Sequence, residues 1–368
     1  MRILRRLIVT AIRHSGQLCW PMLARLPKVG KYALSQMLAR ASCPLPAAPP
    51  ATVELLPGLS RMAPEALTQA DRHLSDMPTD SFDIAPHVRV QAARSDDFRG
   101  CKVALIAHWD LNGLIDPYVM HYAKALKALG YHVLLASDRP VHAPGATLGE
   151  LPDALDAVIH RTCPGYDFTS WRAALHAFPT LLEADGLVLT NDSIFAPVGD
   201  LGRVHAAMDA LPCDFWGMVQ SQDKKPHLQS YYLVFRPAAL RSPAFNHYWK
   251  LVGPQTDKEK AITYELNLGL WLARHGLRSG AFSPRENQPA PMLNPTHCGW
   301  DHLIEKYGVP LLKRDLIFQN PYQVPLDRLE EILRKQGYPM ELILNYAKRR
   351  SLRPLFPYAQ ADREASAL

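Results

Sequence analysis

The tripeptide Asn191-Asp192-Ser193 has the residue types of a binding site and follows directly on a short apolar run. Leu187 to Thr190 is typical of a strand that is covered on both faces of a parallel sheet. Ligand sites of α/β proteins commonly lie where such strands end. An amide, a carboxylate and a hydroxyl in succession could hold a cation or sugar hydroxyls. The same residue types favour turns and helix caps, so a simple turn stays open as an alternative.

A second candidate is the loop from His108 to Gly113, which follows a predicted strand over Lys102 to His108. In an open α/β sheet this loop lies over the carboxyl edge, where a nucleotide or sugar phosphate commonly binds. Asp110 lies in the loop, and Asp116 precedes a proline as a helix cap. His108 could equally be a buried structural histidine. The chain has no dinucleotide-binding glycine motif and no P-loop, which disfavours dinucleotide redox chemistry and P-loop hydrolysis.

Three further side chains could carry chemistry. Arg161, at a strand end near a helix start, is suited to a diphosphate, although a surface ion pair would also explain it. Glu265, on a predicted helix, could take a proton from a hydroxyl or could be a solvated residue. His297 could reach a metal or a phosphate, but Asn294 and the proline after it already explain a helix entry there.

The elements that must position these residues alternate between strands and helices, which predicts an α/β fold. The spacing predicts strands and helices at the following positions: strands at 102–108, 131–137, 157–160, 187–190, 215–219 and 230–235, and helices from 117, at 169–178, 243–251 and 259–275. Residues 327–349 are predicted to be mostly helical and to pack outside the main sheet. Since the first strand, helix and second strand form a β-loop-α-β unit, we expect a mostly parallel sheet.

The charge is unevenly distributed along the 368 residues. Residues 1–53 hold eight basic residues and no acidic one, a formal charge of +8, whereas the rest of the chain carries −2. The folded body is therefore not a basic nucleic-acid surface. The arm alternates basic and apolar residues and could lie on anionic lipid at the cytoplasmic face of the inner membrane, or be a basic tail without a partner. The six cysteines form no metal or disulfide pattern, which fits reduced thiols in the cytoplasm.

These features predict four segments. They are a basic amphipathic arm at 1–40, a Pro-rich linker or wrapping segment at 41–98, a catalytic domain at 99–325, and a helical C-terminal extension with a tail at 326–368.

Taken together, several sequence pieces resemble the rhamnan synthesis protein F family of bacterial polysaccharide glycosyltransferases. The pieces occur in family order across about residues 100 to 322, and together they are specific. They are Ala107 to Val119, Gly165 to Trp171, Leu189 to Pro197, Asp214 to Gly217, His227 to Arg236, Tyr264-Glu265, Asn294 to His297 and Leu312 to Asp315.

The resemblance implies a glycosyltransferase that uses a nucleotide-activated sugar, such as dTDP-L-rhamnose. Its product would be a rhamnose-containing surface polysaccharide such as an O-antigen, built on a polysaccharide or lipid-linked glycan acceptor. The implied architecture is the Rossmann-like nucleotide-sugar fold called GT-A, with a mostly parallel central sheet and helical N- and C-terminal appendages. The implied reaction is direct displacement with inversion.

The resemblance also implies roles for individual residues. Glu265 is the expected catalytic base, with Asp223 or Asp110 as alternatives, and Asp192 is expected to be catalytic. The expected donor-binding residues are His108, Asp110, Asp116, Tyr118, Asp138, Arg161, Tyr166, Asp167, Asn191 and Ser193. The expected acceptor-binding residues are Trp216, His227, Gln229 and Tyr231.

The resemblance further suggests a divalent metal, Mg²⁺ or Mn²⁺, with Asp192 and His297 as ligands. The family pattern expects an acidic pair at the end of the strand, but Asn191-Asp192-Ser193 holds one carboxylate. The alternatives are a non-catalytic carbohydrate-binding or scaffold protein of polysaccharide assembly, and a metal-dependent carbohydrate hydrolase that uses His108, Asp110 and His297.

Overall fold

A computed structural model describes residues 58–59, 82–145, 150–284 and 293–358. The predicted arm at 1–40 and most of the Pro-rich segment lie outside the described residues. The strands are β1 Gly58–Leu59, β2 Val88–Ala93, β3 Lys102–His108, β4 His132–Ser137, β5 Ala157–Arg161, β6 Gly186–Asn191, β7 Ile194–Phe195, β8 Phe215–Ser221, β9 His227–Leu228, β10 Tyr232–Phe235, β11 Ser279–Ser283 and β12 Leu312–Lys313.

The helices lie between and after these strands. They are α1 Pro117–Ala128, α2 Asp167–Ala177, α3 Leu201–Asp209, α4 Pro237–Leu240, α5 Pro243–Leu251, α6 Lys258–Arg274, α7 Pro295–Cys298, α8 Trp300–Glu305, α9 Arg314–Phe318, α10 Leu329–Lys335 and α11 Met340–Arg349, with 3₁₀ turns at Ala85–His87 and Pro179–Glu183. None of the helices in the described ranges has the length and apolar composition needed to cross a membrane.

The main sheet is mixed, with a parallel centre. Across the described residues its strand order is β1-β11-β8-β10-β6-β3-β4-β5-β2, and β9 pairs with β8. The neighbours β5, β4, β3 and β6 are parallel, whereas β10 is antiparallel to both β6 and β8. The chain leaves β3 toward one side of the sheet and returns on its other side with β6. This reversal is a topological switch point, where open α/β sheets commonly bind ligands.

Helices cover both faces of the sheet. Ala104 and Ile106 of β3 belong to one core cluster together with α1, and Leu105 and Ala107 belong to a second cluster together with α2. This division follows because successive side chains of a strand point to opposite faces. A strand covered on both sides needs apolar residues throughout, which explains the continuous run in β3. The predicted α/β class with a largely parallel sheet centre is confirmed.

The predicted boundary at residue 99 comes too late in the chain. β2 pairs antiparallel with β5 along its whole length, from Val88 opposite Arg161 to Ala93 opposite Ala157. Residues 88–93 therefore form a strand of the sheet rather than a linker. Proline is scarce here, so the Pro-rich composition that predicted a linker applies only to the part of the segment that precedes β2.

The C-terminal helices α10 and α11 belong to the core. Leu329, Ile332 and Leu333 of α10 and Ile343 of α11 are fully buried in the same cluster as α1. The two helices pack on α1, on α8 and on each other, so burial of their apolar faces is compatible with the prediction that this stretch packs outside the main sheet. The burial follows from the helical spacing of its apolar residues, which gives each helix one face that must be covered.

Candidate functional site

Asn191-Asp192-Ser193 lies where β6 ends, at the switch point beside the loop that follows β3. The side-chain nitrogen Nδ2 of Asn191 donates to Asp167 Oδ2 at 2.6 Å. Asn191 Oδ1 accepts from both the backbone amide and the hydroxyl of Ser193. The segment is therefore a turn in its local geometry and also brings three polar groups to the crevice. The turn and the binding site, which were alternatives in the sequence analysis, are therefore compatible.

Asp192 connects three segments of the site. Its Oδ2 accepts a hydrogen bond from the Trp109 amide at 3.1 Å and lies 3.7 Å from Arg314 Nη1. Its backbone carbonyl accepts from the Tyr118 hydroxyl at 2.7 Å and from Arg314 at 2.9 Å. Since only 7% of Asp192 is exposed, its carboxylate holds the loop after β3 and the start of α9 in place. Tyr118, expected to bind donor, is buried and supports this contact instead.

Two carboxylates of the loop after β3 are paired with the end of α11. Asp110 accepts from Arg349 at 2.7 Å and from Arg350 at 2.6 Å, and Asp116 accepts twice from Arg349. Both carboxylates are buried, so these charged hydrogen bonds replace their hydration. The expectation that Asp110 and Asp116 bind donor is corrected, because their oxygens already have protein partners. We name these four residues the arginine clasp.

The loop backbone and the arginine clasp together lower the pKa of Asp110. Burial alone would raise the pKa of this carboxyl group. Hydrogen bonds from the Leu114 amide and from Arg349 outweigh that effect, and the pKa lies below its ordinary value. Gly113 in the same loop has a φ of +71°, and a Cβ built there would lie 2.1 Å from the Pro140 carbonyl oxygen, so the loop needs glycine at this position.

His108 is a structural histidine rather than a donor ligand. It is buried at the end of β3, and its Nδ1 lies 3.2 Å from the hydroxyl of Ser137 on β4. Burial lowers the pKa of its imidazole, which favours the neutral ring. Asp138, the residue after β4, is only partly covered and its Oδ1 has no partner within the described residues. Asp138 therefore remains a candidate for binding donor.

Arg161 shapes a turn and does not face a diphosphate. Its guanidinium donates to the Ser170 hydroxyl at 2.9 Å and to the carbonyls of Cys163 and Gly165 at 2.5 and 2.7 Å. These bonds use all three guanidinium nitrogens, two on the loop before α2 and one on Ser170 in its first turn. Next in this loop, Tyr166 is 41% exposed. An arginine at a strand end near a helix start, which predicted diphosphate binding, is therefore explained here by an arginine that anchors its own loop.

Asp167 is a carboxyl group at the crevice whose pKa is raised above its ordinary value. Burial raises its pKa to about 6, and the charges of Asp192 and Glu265 act in the same direction, whereas Asn191 and Lys313 act against it. Asp167 therefore titrates near neutral pH, unlike an ordinary aspartate. This property is common at functional sites because a titrating group there can exchange a proton with substrate.

Asp167→Asn is expected to raise the melting temperature at pH 7.5 by about 2–4 °C, equivalent to roughly 1 kcal/mol. The reason is that a carboxyl group with a raised pKa in the folded protein costs stability once the pH exceeds that value. The gain should vanish at pH 4, where Asp167 is protonated in the folded protein. Thermal melts at both pH values check this, with exposed Asp185→Asn as the control. An equal gain at both pH values would contradict the assignment.

The segment from Leu312 to Asp315 brings cations to the end of β6, and this contribution was missed at the sequence level. β12 pairs antiparallel with β7, with Lys313 opposite Ile194. Lys313 Nζ lies 3.3 Å from the Ser193 hydroxyl, and Arg314 contacts Asp192 and Tyr118. The segment was among the pieces that carry the family resemblance, so a signal existed, but short β pairing over 120 residues of sequence is not visible in local patterns.

The expected acceptor side borders the same crevice. Glu265 Oε1 accepts from the Ser230 amide at 2.8 Å, and Ser230 lies between Gln229 and Tyr231 in the segment before β10. Gln229 donates to Asn294 at 3.0 Å. Its Oε1 and the Tyr231 hydroxyl are buried atoms without a partner among the described residues, so both could receive a sugar hydroxyl.

Two of the expected acceptor residues belong to the framework. Trp216 is buried in β8, with its ring 5.3 Å from His205 and 5.9 Å from Tyr232. The His227 ring contacts the Lys225 carbonyl at 2.8 Å. Trp216 is a core residue because its position in β8 points it to the α1 face, which the alternation of residues along a strand determines.

The predicted metal site does not fit these residues. His297 Nε2 lies 3.0 Å from Asp315 Oδ1, and Asp192 has Trp109 and Arg314 as partners. Burial opposes ionisation of Asp315, but the hydrogen bond from His297 outweighs it and holds the Asp315 pKa well below its ordinary range. Within the described ranges no group of three or more histidine, cysteine or acidic residues is arranged to hold a metal ion. Arg314 Nη1 also lies 3.7 Å from Asp192 Oδ2, so this carboxylate already has a cation beside it.

The sequence matches the family described as Rhamnan synthesis protein F over residues 145–362, more than half of the chain. The chain belongs to the rhamnan synthesis protein F family. Membership makes it a protein related to polysaccharide synthesis. The family match includes β5, β6, α6, β12 and both C-terminal helices. It therefore covers the segments that provide Asp192, Glu265, Lys313 and the arginines of the clasp.

A curated relative is the Virulence protein VirA of Vibrio anguillarum (strain ATCC 68554 / 775). It is 25% identical over 220 residues, which cover 50% of this chain and 70% of the relative. A second VirA sequence from Vibrio anguillarum gives the same values. The family match thus covers residues 145–362, and the relative matches half of this chain.

In this member of the rhamnan synthesis protein F family, a pocket of about 500 Å³ also lies away from the crevice. Its lining belongs to α5 and α6 and to the residue after α6, and includes Trp271, His247 and Lys250. Trp271 stacks against His247 with ring centroids 5.5 Å apart. None of the predicted site residues lines this pocket. The predicted site residues Asp167, Asp192 and Ser193 instead lie at the switch point, together with Lys313.

Proposed function

We propose that this protein is a glycosyltransferase that moves a sugar from a nucleotide-sugar donor to a growing bacterial surface polysaccharide. The donor we propose is dTDP-L-rhamnose, and the acceptor is an O-antigen or rhamnan chain, free or linked to lipid. The observation that carries the proposal is the crevice at the switch point, which joins carboxylate, hydroxyl and ammonium groups. The parallel order β5-β4-β3-β6 supports a Rossmann-like fold of the GT-A type.

The reaction we propose is a single displacement with inversion. An acceptor hydroxyl attacks the anomeric carbon of the donor sugar, its proton passes to Glu265, and the bond from that carbon to the diphosphate oxygen breaks. The electron pair of the broken bond leaves with the nucleoside diphosphate. Glu265 suits this role because the Ser230 amide holds one of its oxygens at 2.8 Å and the side chain is only partly covered.

The positions of Gln229 and Tyr231 support an acceptor subsite next to Glu265. Both residues flank Ser230, whose amide Glu265 binds, and both offer a buried polar atom without a protein partner in the described part of the chain. A sugar hydroxyl bound there would satisfy these atoms and would lie near the base. Such pre-positioning of reactants supplies a large part of the rate in group transfer.

Asp192→Ala is expected to lower the transfer rate about 100-fold, because loss of the carboxylate frees the Trp109 loop and Arg314 by a fraction of an ångström or more. The rate of sugar transfer by purified protein, with circular dichroism as a check on folding, measures this. Asp185→Ala, an exposed change before β6, serves as the control. Near-normal transfer by a folded Asp192→Ala variant would remove Asp192 from the site.

The proposal is tested by incubating the purified protein with a set of nucleotide sugars and a rhamnose-containing oligosaccharide. Release of nucleoside diphosphate that depends on both donor and acceptor is expected, together with a lengthened oligosaccharide in mass spectrometry. Binding of the oligosaccharide without release of nucleoside diphosphate from any donor would instead show a carbohydrate-binding or scaffold protein. Breakdown of the glycan without a nucleotide sugar would show a hydrolase.

A further inference from the structure

The leaving diphosphate of a nucleotide sugar needs a positive partner in the transition state. Negative charge grows on the diphosphate oxygen as the bond to the sugar breaks, and fixed positive groups that stabilise it lower the barrier. A divalent metal is one such partner, but the residues predicted to hold it, Asp192 and His297, bond to other parts of the protein. A positively charged side chain must therefore supply this partner for the diphosphate.

The pairing of β12 with β7 places two cations beside the end of β6. The Arg314 amide donates to the Ser193 carbonyl at 2.9 Å, which fixes the main chain of β12 against the tripeptide. Lys313, at the end of β12, and Arg314, at the start of α9, consequently lie beside Ser193 at the crevice. This placement depends on backbone pairing and not on a flexible side chain alone.

The cations near the crevice differ in whether a carboxylate already neutralises them. Arg314 lies 3.7 Å from Asp192, and Arg349 and Arg350 bind the buried carboxylates of the arginine clasp. Among the described residues, Lys313 has no carboxylate oxygen within 4.0 Å. Lys313 thus makes no direct ion pair in the part of the chain that the structure describes. Its charge acts on the Asp167 and Asp315 carboxyl groups from further away, and its ammonium can donate to an anionic ligand.

The position of the Lys313 ammonium also joins the two halves of the crevice. It lies 3.3 Å from the Ser193 hydroxyl, on the side of the expected donor, and 4.7 Å from the centre of the Tyr231 ring, on the side of the expected acceptor. The scissile bond of a transferase must lie between donor and acceptor. A cation over an aromatic ring is held in place but keeps N–H groups free to donate, since the ring binds it through its face.

We propose that Lys313, rather than a divalent metal ion, binds the diphosphate of the donor and stabilises it as it leaves. This inference rests on the proposed function and adds the group that meets the leaving charge. As the acceptor oxygen bonds to the anomeric carbon, the electron pair of the broken bond stays on the terminal phosphate oxygen, which accepts a hydrogen bond from Lys313 Nζ. Lys313 keeps its proton, and Arg314 holds β12 in position through Asp192 and Tyr118.

The test measures binding of dTDP and UDP by isothermal titration calorimetry to the full chain in excess EDTA. Wild-type protein is expected to bind at least one of them without metal. Lys313→Met should bind about 10- to 100-fold more weakly, because a hydrogen bond to a charged group is lost. Lys313→Arg should retain most of the affinity, and added salt should weaken wild-type binding more than it weakens Lys313→Met.

Lys306→Met is the matched control, because Lys306 is also a lysine over a tyrosine ring, at 5.7 Å from the Tyr307 ring, and is exposed. Binding that requires Mg²⁺ or Mn²⁺, or equal affinities of Lys313→Met and wild type, would overturn the inference and leave the proposed function standing. No binding of either nucleotide, with or without metal, would count against the proposed function and the inference together. Thermal melts of each variant verify that it is folded.

Discussion

Glu265→Gln is expected to reduce the rate of sugar transfer by about 10²- to 10⁴-fold while leaving nucleoside diphosphate binding unchanged. The factor is that of a lost general base, since the amide cannot accept the proton of the acceptor hydroxyl. Glutamine keeps an oxygen that can accept the hydrogen bond from the Ser230 amide, so the acceptor segment should keep its position. Transfer rates and calorimetric binding of dTDP or UDP, measured on the same preparations, separate the two effects.

Two further variants sharpen this result. Glu341→Gln changes an exposed glutamate of α11 and should transfer sugar at the wild-type rate. Asp223→Asn tests the alternative base, whose Oδ2 is 3.4 Å from the Tyr322 hydroxyl. A rate loss that occurs with Asp223→Asn and not with Glu265→Gln would move the base to Asp223.

Arg349→Met is expected to destabilise the folded protein by about 3–5 kcal/mol, because it removes one partner of buried ion pairs. Arg349 contacts both Asp110 and Asp116, and the two carboxylates are 1% and 4% exposed. Asp110 would keep Arg350, but Asp116 would lose both of its charged hydrogen bonds. Urea unfolding followed by circular dichroism measures the change in the free energy of unfolding.

Arg328→Met is the matched control for this experiment. Arg328 pairs with Glu305 at 2.9 Å, but its side chain is 53% exposed, so its loss should change the free energy of unfolding far less than the loss of Arg349 does. The double variant Arg349→Met with Asp116→Asn should recover part of the lost stability, because it removes a buried charge together with its partner. Equal unfolding midpoints for Arg349→Met and Arg328→Met would show that the arginine clasp contributes little.

Elements with strong local patterns were predictable from the sequence. β3 has the predicted bounds Lys102–His108, and α5 has the predicted bounds Pro243–Leu251. The apolar run and the proline at a helix start are local signals, and buried parallel strands leave little choice of residue. The parallel centre of the sheet followed as well, because a β-loop-α-β unit favours parallel strands.

The partners of the polar side chains were not predictable in the same way. His108, Asp110 and Arg161 have residue types that suit a ligand, but their partners within the chain already satisfy them. A carboxylate with a distant arginine and a carboxylate with a ligand look alike in sequence. Two-residue strands such as β7 and β12 also carry too few residues for a period to be recognised.

The arginine clasp has a consequence for the order in which the chain can fold during synthesis. Arg349 follows Asp110 by 239 residues and Asp116 by 233. When β3, α1 and β4 have left the ribosome, the loop carboxylates have no cation to receive them and must stay in water, since burying them unpaired costs several kcal/mol each. The loop after β3 can therefore reach its final position only after α11 has been synthesised, so a complete crevice requires α11.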